Sequence, residues 1–436
     1  MITIETAADA IAYIHGRHKW KKIPSFARIE ALLDRLDHPE RASKFIHITG
    51  TNGKGSTSKM IAQLLRQTGL TVGMFTSPFI MTFNERVQGN DGNIPDADLL
   101  AIMQRIAPIT EALDQELPDG GPTEFETLTA MMFVYFAEHP VDVVVLEVGV
   151  GGTWDTTEVI PDKVLSVITT VGLDHMQVLG NSLAEIATQK AGIIQRQRPV
   201  VTGRLPEEAR QVVTTVAKAA GAPIFELGHE FEVAMVPGDT EWGERFNLSG
   251  TVTQRDVFVD LMGDYQIENA AVAIQAATLA AQLLGRELTP EMVETALAIV
   301  TWPVRFERVS NTPLTVLDGA HNQHGVDALA ATLARRFKQR TVHILFGALA
   351  DKAYPEMLHT LADLPNVDLH VVGFQNPGSR TVLDPTEAAA QVTGHTVTVH
   401  QDWQTAYQTV KALAKQNDMI LFTGSLYFVS EVRANL

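Results

Sequence analysis

Cysteine is missing from all 436 residues. That absence removes disulfides, thiolate nucleophiles and cysteine-based zinc sites together, and leaves oxygen ligands and histidine for any metal, an inventory that suits Mg²⁺. Positive charge is also scarce: 34 Lys and Arg stand against 51 Asp and Glu, a formal net charge of −17. Wide nucleic-acid contact needs many cations to neutralise phosphates, so nucleic acid is excluded as a partner, and any anionic ligand must find a local basic pocket. Long apolar runs are lacking too. None approaches the roughly 18 residues that span a bilayer, and Met1 to Thr6 show no basic segment followed by an apolar one. The expectation is a cytoplasmic chain with no membrane partner. With 45% hydrophobic residues over this length, two or three separate cores are expected.

The most informative stretch that is present is Ile48-Thr49-Gly50-Thr51-Asn52-Gly53-Lys54-Gly55-Ser56. It follows the apolar run Phe45 to Ile48 and opens a helix-patterned segment, so it predicts a strand, a phosphate-cradling loop and a helix N-terminus. Glycines let backbone N–H groups converge on a phosphate chain, the helix dipole favours negative charge, and Lys54 reaches the β and γ oxygens. The pattern departs from the usual phosphate loop at both ends. Ile48 replaces its first glycine, and Gly55 replaces the hydroxyl residue after the lysine, which leaves Ser56 as the nearest hydroxyl for a metal.

The pattern around this loop predicts a β-α-β unit. Residues 26–36 form an amphipathic helix ahead of it; Met60, Ile61, Leu64 and Leu65 carry the following helix to Gly69, and 71–75 form the next strand. The runs 141–147 and 164–170 are nearly continuous β-branched or apolar residues, as in strands covered on both faces of a parallel sheet. Ligands in such sheets sit beyond the carboxyl ends of strands, so the loop, Glu147 and His175 are expected in one crevice. Ser182-Leu183-Ala184-Glu185 has capping-box spacing for a helix through Lys190, 228–262 predicts a small antiparallel sheet, and helices are expected from about Gln266 to Leu284 and from Thr289-Pro290. After Thr301-Trp302-Pro303 the alternation restarts with strands at 314–318, 341–346, 367–372, 396–400 and 419–423. The fold class is therefore α/β: a P-loop parallel-sheet ATPase domain with a small antiparallel sheet over 1–303, then a smaller Rossmann-like α/β domain over 304–436. The basic and aromatic stretch His15 to Lys22, ahead of Pro24, is open between a solvated loop and a ligand grip.

Taken in order, the phosphate-loop string, Thr76-Ser77-Pro78-Phe79-Ile80, Phe83-Asn84-Glu85-Arg86, Glu147-Val148-Gly149-Val150-Gly151-Gly152, Leu173-Asp174-His175, Lys190-Ala191-Gly192-Ile193-Ile194, Asp318-Gly319-Ala320-His321-Asn322 and Thr423-Gly424-Ser425-Leu426-Tyr427 resemble the folylpolyglutamate synthase and dihydrofolate synthase family of the Mur ligase superfamily. The resemblance runs from about residue 10 to the end. It implies an amide-forming ligase that uses ATP and two Mg²⁺ ions, with K⁺ a further candidate, to activate a folate carboxylate as an acyl phosphate that L-glutamate then attacks. It also implies a site shared by the two domains, which close together. Dihydropteroate is a second candidate acceptor, and a monomer is expected.

Carried over by position, the resemblance gives Lys54 to the β and γ phosphates, with the amides of Thr51, Asn52, Gly53, Gly55 and Ser56 around them. It gives Ser77 and Glu147 to the first Mg²⁺ and His175 to the second, with Lys190 carbamylated beside it. Asn269 reads adenine, Arg305 clamps the γ-phosphate, Asp318 contacts the ribose and His321 sits near the phosphoryl in transfer. Phe79, Arg86 and Asp155 line the folate pocket, and Ser425 helps bind glutamate. One departure stands out: relatives commonly have Asp-Ala-Thr-Asn where this chain has Asp155-Thr156-Thr157-Glu158. The competing readings are a peptidoglycan-type amino-acid ligase, disfavoured by the short stretch ahead of the loop, and a P-loop regulatory switch, for which no partner-docking element is visible.

Overall fold

Where the sequence runs through unbroken apolar residues, strands form and are covered on both sides. The computed structural model describes residues 4–19, 25–237, 241–375 and 380–436. They fall into two units: the described residues of 1–236, 246–258 and 268–300 form the first, and those of 237–245, 259–267 and 301–436 the second.

The first unit is built on an eight-stranded sheet: β1 (Phe45–Thr49), β2 (Val72–Phe75), β3 (Val87–Gly89), β4 (Gly92–Asn93), β5 (Val143–Glu147), β6 (Lys163–Ile168), β7 (Val200–Thr202) and β8 (Ile224–Glu226). Their order is β4-β3-β2-β5-β1-β6-β7-β8, with β3 and β4 antiparallel at one edge and the remainder parallel. Every residue of β1, β5 and β6 is buried, which is why these strands show no polar alternation. One face carries a core of Phe45, Phe75, Phe133, Phe136 and Leu146, supplied largely by the helices Asp96–Glu116 and Glu124–Glu138. Elsewhere Ile168, Ile186, Val200 and Val213 form a second cluster with the helices Leu183–Ala191 and Glu207–Ala220. Because the chain leaves β1 toward β2 and β5 on one side and reaches β6 on the other, the carboxyl end of β1 is a topological switch point.

Three strands, β9 (Phe231–Met235), β10 (Glu244–Gly250) and β11 (Gln254–Val259), make the small sheet, in which β9 and β10 are antiparallel. The helix Asp264–Leu283 follows, and Thr289 caps the helix Pro290–Ala298 through the N–H of Met292.

The second unit carries a six-stranded sheet: β12 (Glu307–Asn311), β13 (Leu314–Leu317), β14 (Val342–Phe346), β15 (Val367–Val372), β16 (Val397–His400) and β17 (Met419–Thr423), ordered β12-β13-β17-β14-β15-β16. All neighbours are parallel except β12, an antiparallel edge strand that the sequence reading did not separate from the loop. The two earlier segments of this unit are pinned by charge: buried Glu244 accepts from Arg335 at 2.6 Å and from the N–H of Gly263 at 3.1 Å, while Arg335 also meets Asp264 at 2.5 Å. Among the described residues, no helix is long and apolar enough to cross a membrane.

Candidate active site

The phosphate loop leaves the carboxyl end of β1 and turns into the helix Lys54–Gln67. Gly53, its N-cap, has φ +84°, and a Cβ there would stand 2.5 Å from Oδ1 of Asn269. Only glycine fits both the left-handed backbone and this approach, so Asn269 lies directly over the loop. Gly53 brings no capping side chain, and the first helical turn, Lys54 to Ser56, directs its N–H dipoles toward the loop. The amides of Thr51 and Asn52 do not join them. They donate to the carbonyl oxygen and Oγ1 of Thr170, each at 2.9 Å, which ties the loop to the end of β6. The expectation of a cradle running from Thr51 is corrected to that extent. Lys54 folds back so that its Nζ donates to Gly50 O at 3.0 Å.

Glu147 ends β5, the strand beside β1, and is 4% exposed. Its Oε2 accepts from the backbone N–H of Ser77 at 3.4 Å. The hydroxyl of Ser77 in turn accepts from Nη1 of Arg86 at 2.9 Å, and the Arg86 guanidinium lies 5.1 Å from the Phe79 ring and 5.6 Å from Phe83. Phe83 packs edge-on to Phe79 and to His15. Four residues singled out in the sequence, Glu147, Ser77, Arg86 and Phe79, thus form one connected chain, and Phe83 joins them. The sequence signal for Phe83 was present in Phe83-Asn84-Glu85-Arg86, but its ring was not distinguished from core. The hard oxygens of Glu147 and Ser77 suit Mg²⁺.

Lys190 is 2% exposed in the helix Leu183–Ala191. Burial pulls its ammonium far below the usual lysine range, to about 7, and the charge of Lys54 pushes the same way against the opposing carboxylate of Asp174. His175 is exposed and takes a left-handed backbone, φ +49°, before a short helix, Met176–Leu179.

Asp155 is buried and occupied: Oδ2 accepts from the N–H of Val150 at 2.9 Å, and Oδ1 from the N–H and hydroxyl of Thr157 at 3.1 and 2.6 Å. The geometry gives it a local structural task. Glu158 also turns inward. It accepts from Nζ of the buried Lys163 through both oxygens at 2.7 Å, and His47 Nδ1 lies 3.3 Å away. The acid that departs from the family pattern therefore neutralises a buried lysine. Burial would raise the Glu158 carboxyl, but His47 and Lys163 together hold it below its ordinary value. Of the basic stretch after His15, Arg17 forms a bidentate pair with Asp114 at 2.7 Å and also donates to Pro122 O, while His15 meets Glu124 at 2.8 Å. These two residues brace helices. Trp20, Lys21, Lys22 and Pro24 lie outside the described residues.

In the second unit, Asp318 follows β13 and is 4% exposed. Its oxygens accept from the N–H groups of Phe306 and Ala320, each at 2.9 Å. Burial raises its carboxyl, with the Arg305 charge opposing. Val304 and Phe306 both take positive φ, +53° and +48°, so Arg305 projects from a strained turn held by Val304 N–H to Glu307 and by Gly319 N–H to Val304 O. His321 donates from Nδ1 to Gly319 O at 2.7 Å, which sets the orientation of its ring. Ser425 is buried, and its hydroxyl caps the helix Leu426–Asn435 by accepting from Tyr427 N–H at 3.2 Å. Asp318 and Ser425 both follow the carboxyl ends of strands of one sheet.

The sequence matches the Mur ligase middle domain over residues 48–277 and the Mur ligase glutamate ligase domain over 304–426. It is 39% identical over 434 residues to the dihydrofolate synthase/folylpolyglutamate synthase of Bacillus subtilis and 41% identical over 438 residues to the folylpolyglutamate synthase of Lacticaseibacillus casei, with 98% of each chain covered in both cases. Among solved structures, a Mycobacterium tuberculosis folylpolyglutamate synthase complexed with ADP superposes with a TM-score of 0.89 at 31% identity, covering 98% of both chains. An FPGS–AMPPCP–folate complex gives 0.86 at 38% identity over 99% of both. Full-length matches of this kind, on a fold whose phosphate loop, Glu147 and Asp318 occupy carboxyl ends of parallel strands, place the chain in the folylpolyglutamate synthase and dihydrofolate synthase family of Mur ligases.

Proposed function

We propose that this protein is an ATP-dependent ligase that adds L-glutamate to the carboxylate of a reduced folate, and that dihydropteroate is a second acceptor. The observation that carries the reading is the chain from the phosphate loop at the switch point, through Glu147 and Ser77, to Arg86 and its aromatic neighbours. It puts oxygen donors for a hard cation beside a cationic and aromatic surface suited to an acidic, ring-bearing substrate.

A carboxylate resists an amine until one oxygen becomes a leaving group. In the proposed sequence a folate carboxylate oxygen attacks the γ-phosphorus of ATP, the bond to the β,γ-bridging oxygen breaks, and ADP leaves. The glutamate nitrogen then adds to the acyl carbon, the amide forms and inorganic phosphate departs with the former carboxylate oxygen. Such transfers rest on positioning and fixed positive charge. Lys54 and the Lys54–Ser56 amides hold the β and γ phosphates, and Asn269, which packs against Gly53, is assigned to adenine. Arg305, Asp318 and His321 are assigned to the γ-phosphate, the ribose and the phosphoryl in transfer, and Ser425 to glutamate. Mg²⁺ held by Ser77 and Glu147 would supply charge neutralisation on the phosphates, with His175 and a carbamylated Lys190 serving a second ion and K⁺ a further candidate.

Carbamylation fits the burial of Lys190, because a neutral amine near pH 7 adds to CO₂ while a buried ammonium does not. A carbamate carbon signal from ¹³C-bicarbonate that persists in Lys190→Met would remove this assignment. The enzyme is placed in the cytoplasm as a monomer, acting on small molecules alone.

The deciding assay measures phosphate release from ATP with and without tetrahydrofolate plus L-glutamate, and then with dihydropteroate plus L-glutamate. Release that depends on both additions is expected. Release indifferent to both would overturn the ligase reading.

A further inference from the structure

One polar cluster in the second unit has no part in this chemistry. Parallel pairing sets His343 of β14 opposite Asp368 of β15, and His370 lies two residues further along β15 on the same face. His400 of β16 pairs with Val372, again two residues on, and Asp418 stands two residues before Ile420, the partner of His343 in β17. Four adjacent strands therefore direct three imidazoles and two carboxylates to one face. His343, His370 and Asp418 are buried, and Asp368 opens the cluster outward with its side chain 48% exposed.

Oδ2 of Asp368 stands 2.9 Å from Nδ1 of His343 and 3.1 Å from Nε2 of His370, and one ligand atom from each of the three residues lies within 4.8 Å of the others. Zinc–nitrogen and zinc–oxygen bonds of about 2.0–2.1 Å in a tetrahedron put neighbouring ligands about 3.3 Å apart, close to these separations. The second nitrogen of each ring also faces a group able to receive its proton. Nε2 of His343 is 3.5 Å from Oδ2 of Asp418, and Nδ1 of His370 is 3.2 Å from Nε2 of His400. A metal-bound imidazole needs such an outer partner to fix its tautomer and orient its ring.

We propose that His343 Nδ1, Asp368 and His370 Nε2 bind a zinc-class divalent ion, with Asp418 and His400 orienting the two rings and water completing the exposed side. Two imidazoles and one carboxylate favour a borderline transition ion over Mg²⁺. On binding, each ring proton moves from the nitrogen facing Asp368 to the nitrogen facing Asp418 or His400, so the ion takes the place of two N–H donors without net proton release from the rings. The ion ties β14 to β15 through His343 and Asp368, the second residue of each strand, and His370, the fourth of β15, whereas Asp318 and Ser425 follow the carboxyl ends of theirs.

The test titrates chelator-stripped full-length protein with Co²⁺, a spectroscopic substitute for Zn²⁺, in saturating Mg²⁺. Uptake of a single equivalent with a dissociation constant of about 10 µM or tighter and a visible d–d absorption is expected. Asp368→Asn should abolish the band and weaken uptake about 100-fold, as should His343→Gln combined with His370→Gln. Asp418→Asn should weaken uptake about 10- to 100-fold by freeing the His343 ring. Asp368→Asn is isosteric and half-exposed, so it keeps the test valid if the double variant misfolds, and its ligase turnover should match the parent. Uptake unchanged in Asp368→Asn, or none below about 100 µM in the parent, overturns the site.

Discussion

The Lys163 ammonium, its side chain 1% exposed, donates to both oxygens of Glu158 at 2.7 Å and to the carbonyl of Ile193 at 2.8 Å. Removing one partner of such a pair leaves an uncompensated buried charge. Glu158→Gln should therefore destabilise the protein by about 3 kcal/mol or more, while replacement of both residues by apolar ones of similar volume should cost less. Chemical denaturation midpoints of the two variants check the order, and equal losses would contradict it.

Lys190 provides a pH signature. Its folded value of about 7 lies below the ordinary 10.5, so between those values the unfolded chain binds a proton that the folded chain does not. Stability contributed at this position therefore rises with pH across that window and is lowest below it. In bicarbonate-free buffer, the unfolding free energy of the parent minus that of Lys190→Met should grow from about pH 7 toward pH 10. Parallel profiles would show that Lys190 keeps its proton when folded.

Lys54→Ala should lower kcat by about 100-fold or more, because fixed charge is lost where the phosphoryl group moves. The fold should survive, since Lys54 Nζ donates to carbonyl oxygens of its own loop, those of Gly50 at 3.0 Å and Thr51 at 3.5 Å. Steady-state phosphate release with a parallel thermal melt separates these effects. Near-normal turnover would remove the assigned role.

Arg86→Lys keeps a charge but loses the planar fork that reaches Ser77 and stacks on Phe79 and Phe83. KM for the folate should rise about tenfold or more, with KM for ATP changing far less, as measured by varying each substrate in turn. An equal rise for both would argue that Arg86 supports the whole site through the fold.

The sheets were largely legible because β1, β5, β6, β14 and β17 are short apolar runs buried on both faces, a pattern that residue type alone conveys. The helix Asp96–Glu116 was not identified, because Pro108 interrupts its period, and β3, β4, β7 and β12 are too short or too exposed to carry one. Among the candidate site residues, Glu147 ends a strand and Lys54 opens the helix after the loop, so spacing singles them out, whereas Asp318, just past β13, is singled out by the resemblance alone. The tasks of Asp155 and Glu158 were not legible, since each depends on a partner reached by folding: the amide of Val150 for one and the side chain of Lys163 for the other. The pairing of the Thr51 and Asn52 amides had the same cause, as their Thr170 acceptors lie just past β6, more than a hundred residues away.

Asp318 Oδ2 accepts the N–H of Phe306, and the carbonyl of Val304 receives the N–H of Gly319, so the chain on both sides of Arg305 is stitched to the segment that carries Asp318. Left-handed valine and phenylalanine cost about 1–3 kcal/mol each and persist only while those bonds hold them. A ligand hydroxyl that draws the Asp318 carboxylate away from Phe306 would also slacken the turn and redirect the guanidinium. Substituting Asp318 would therefore also release the backbone that orients Arg305.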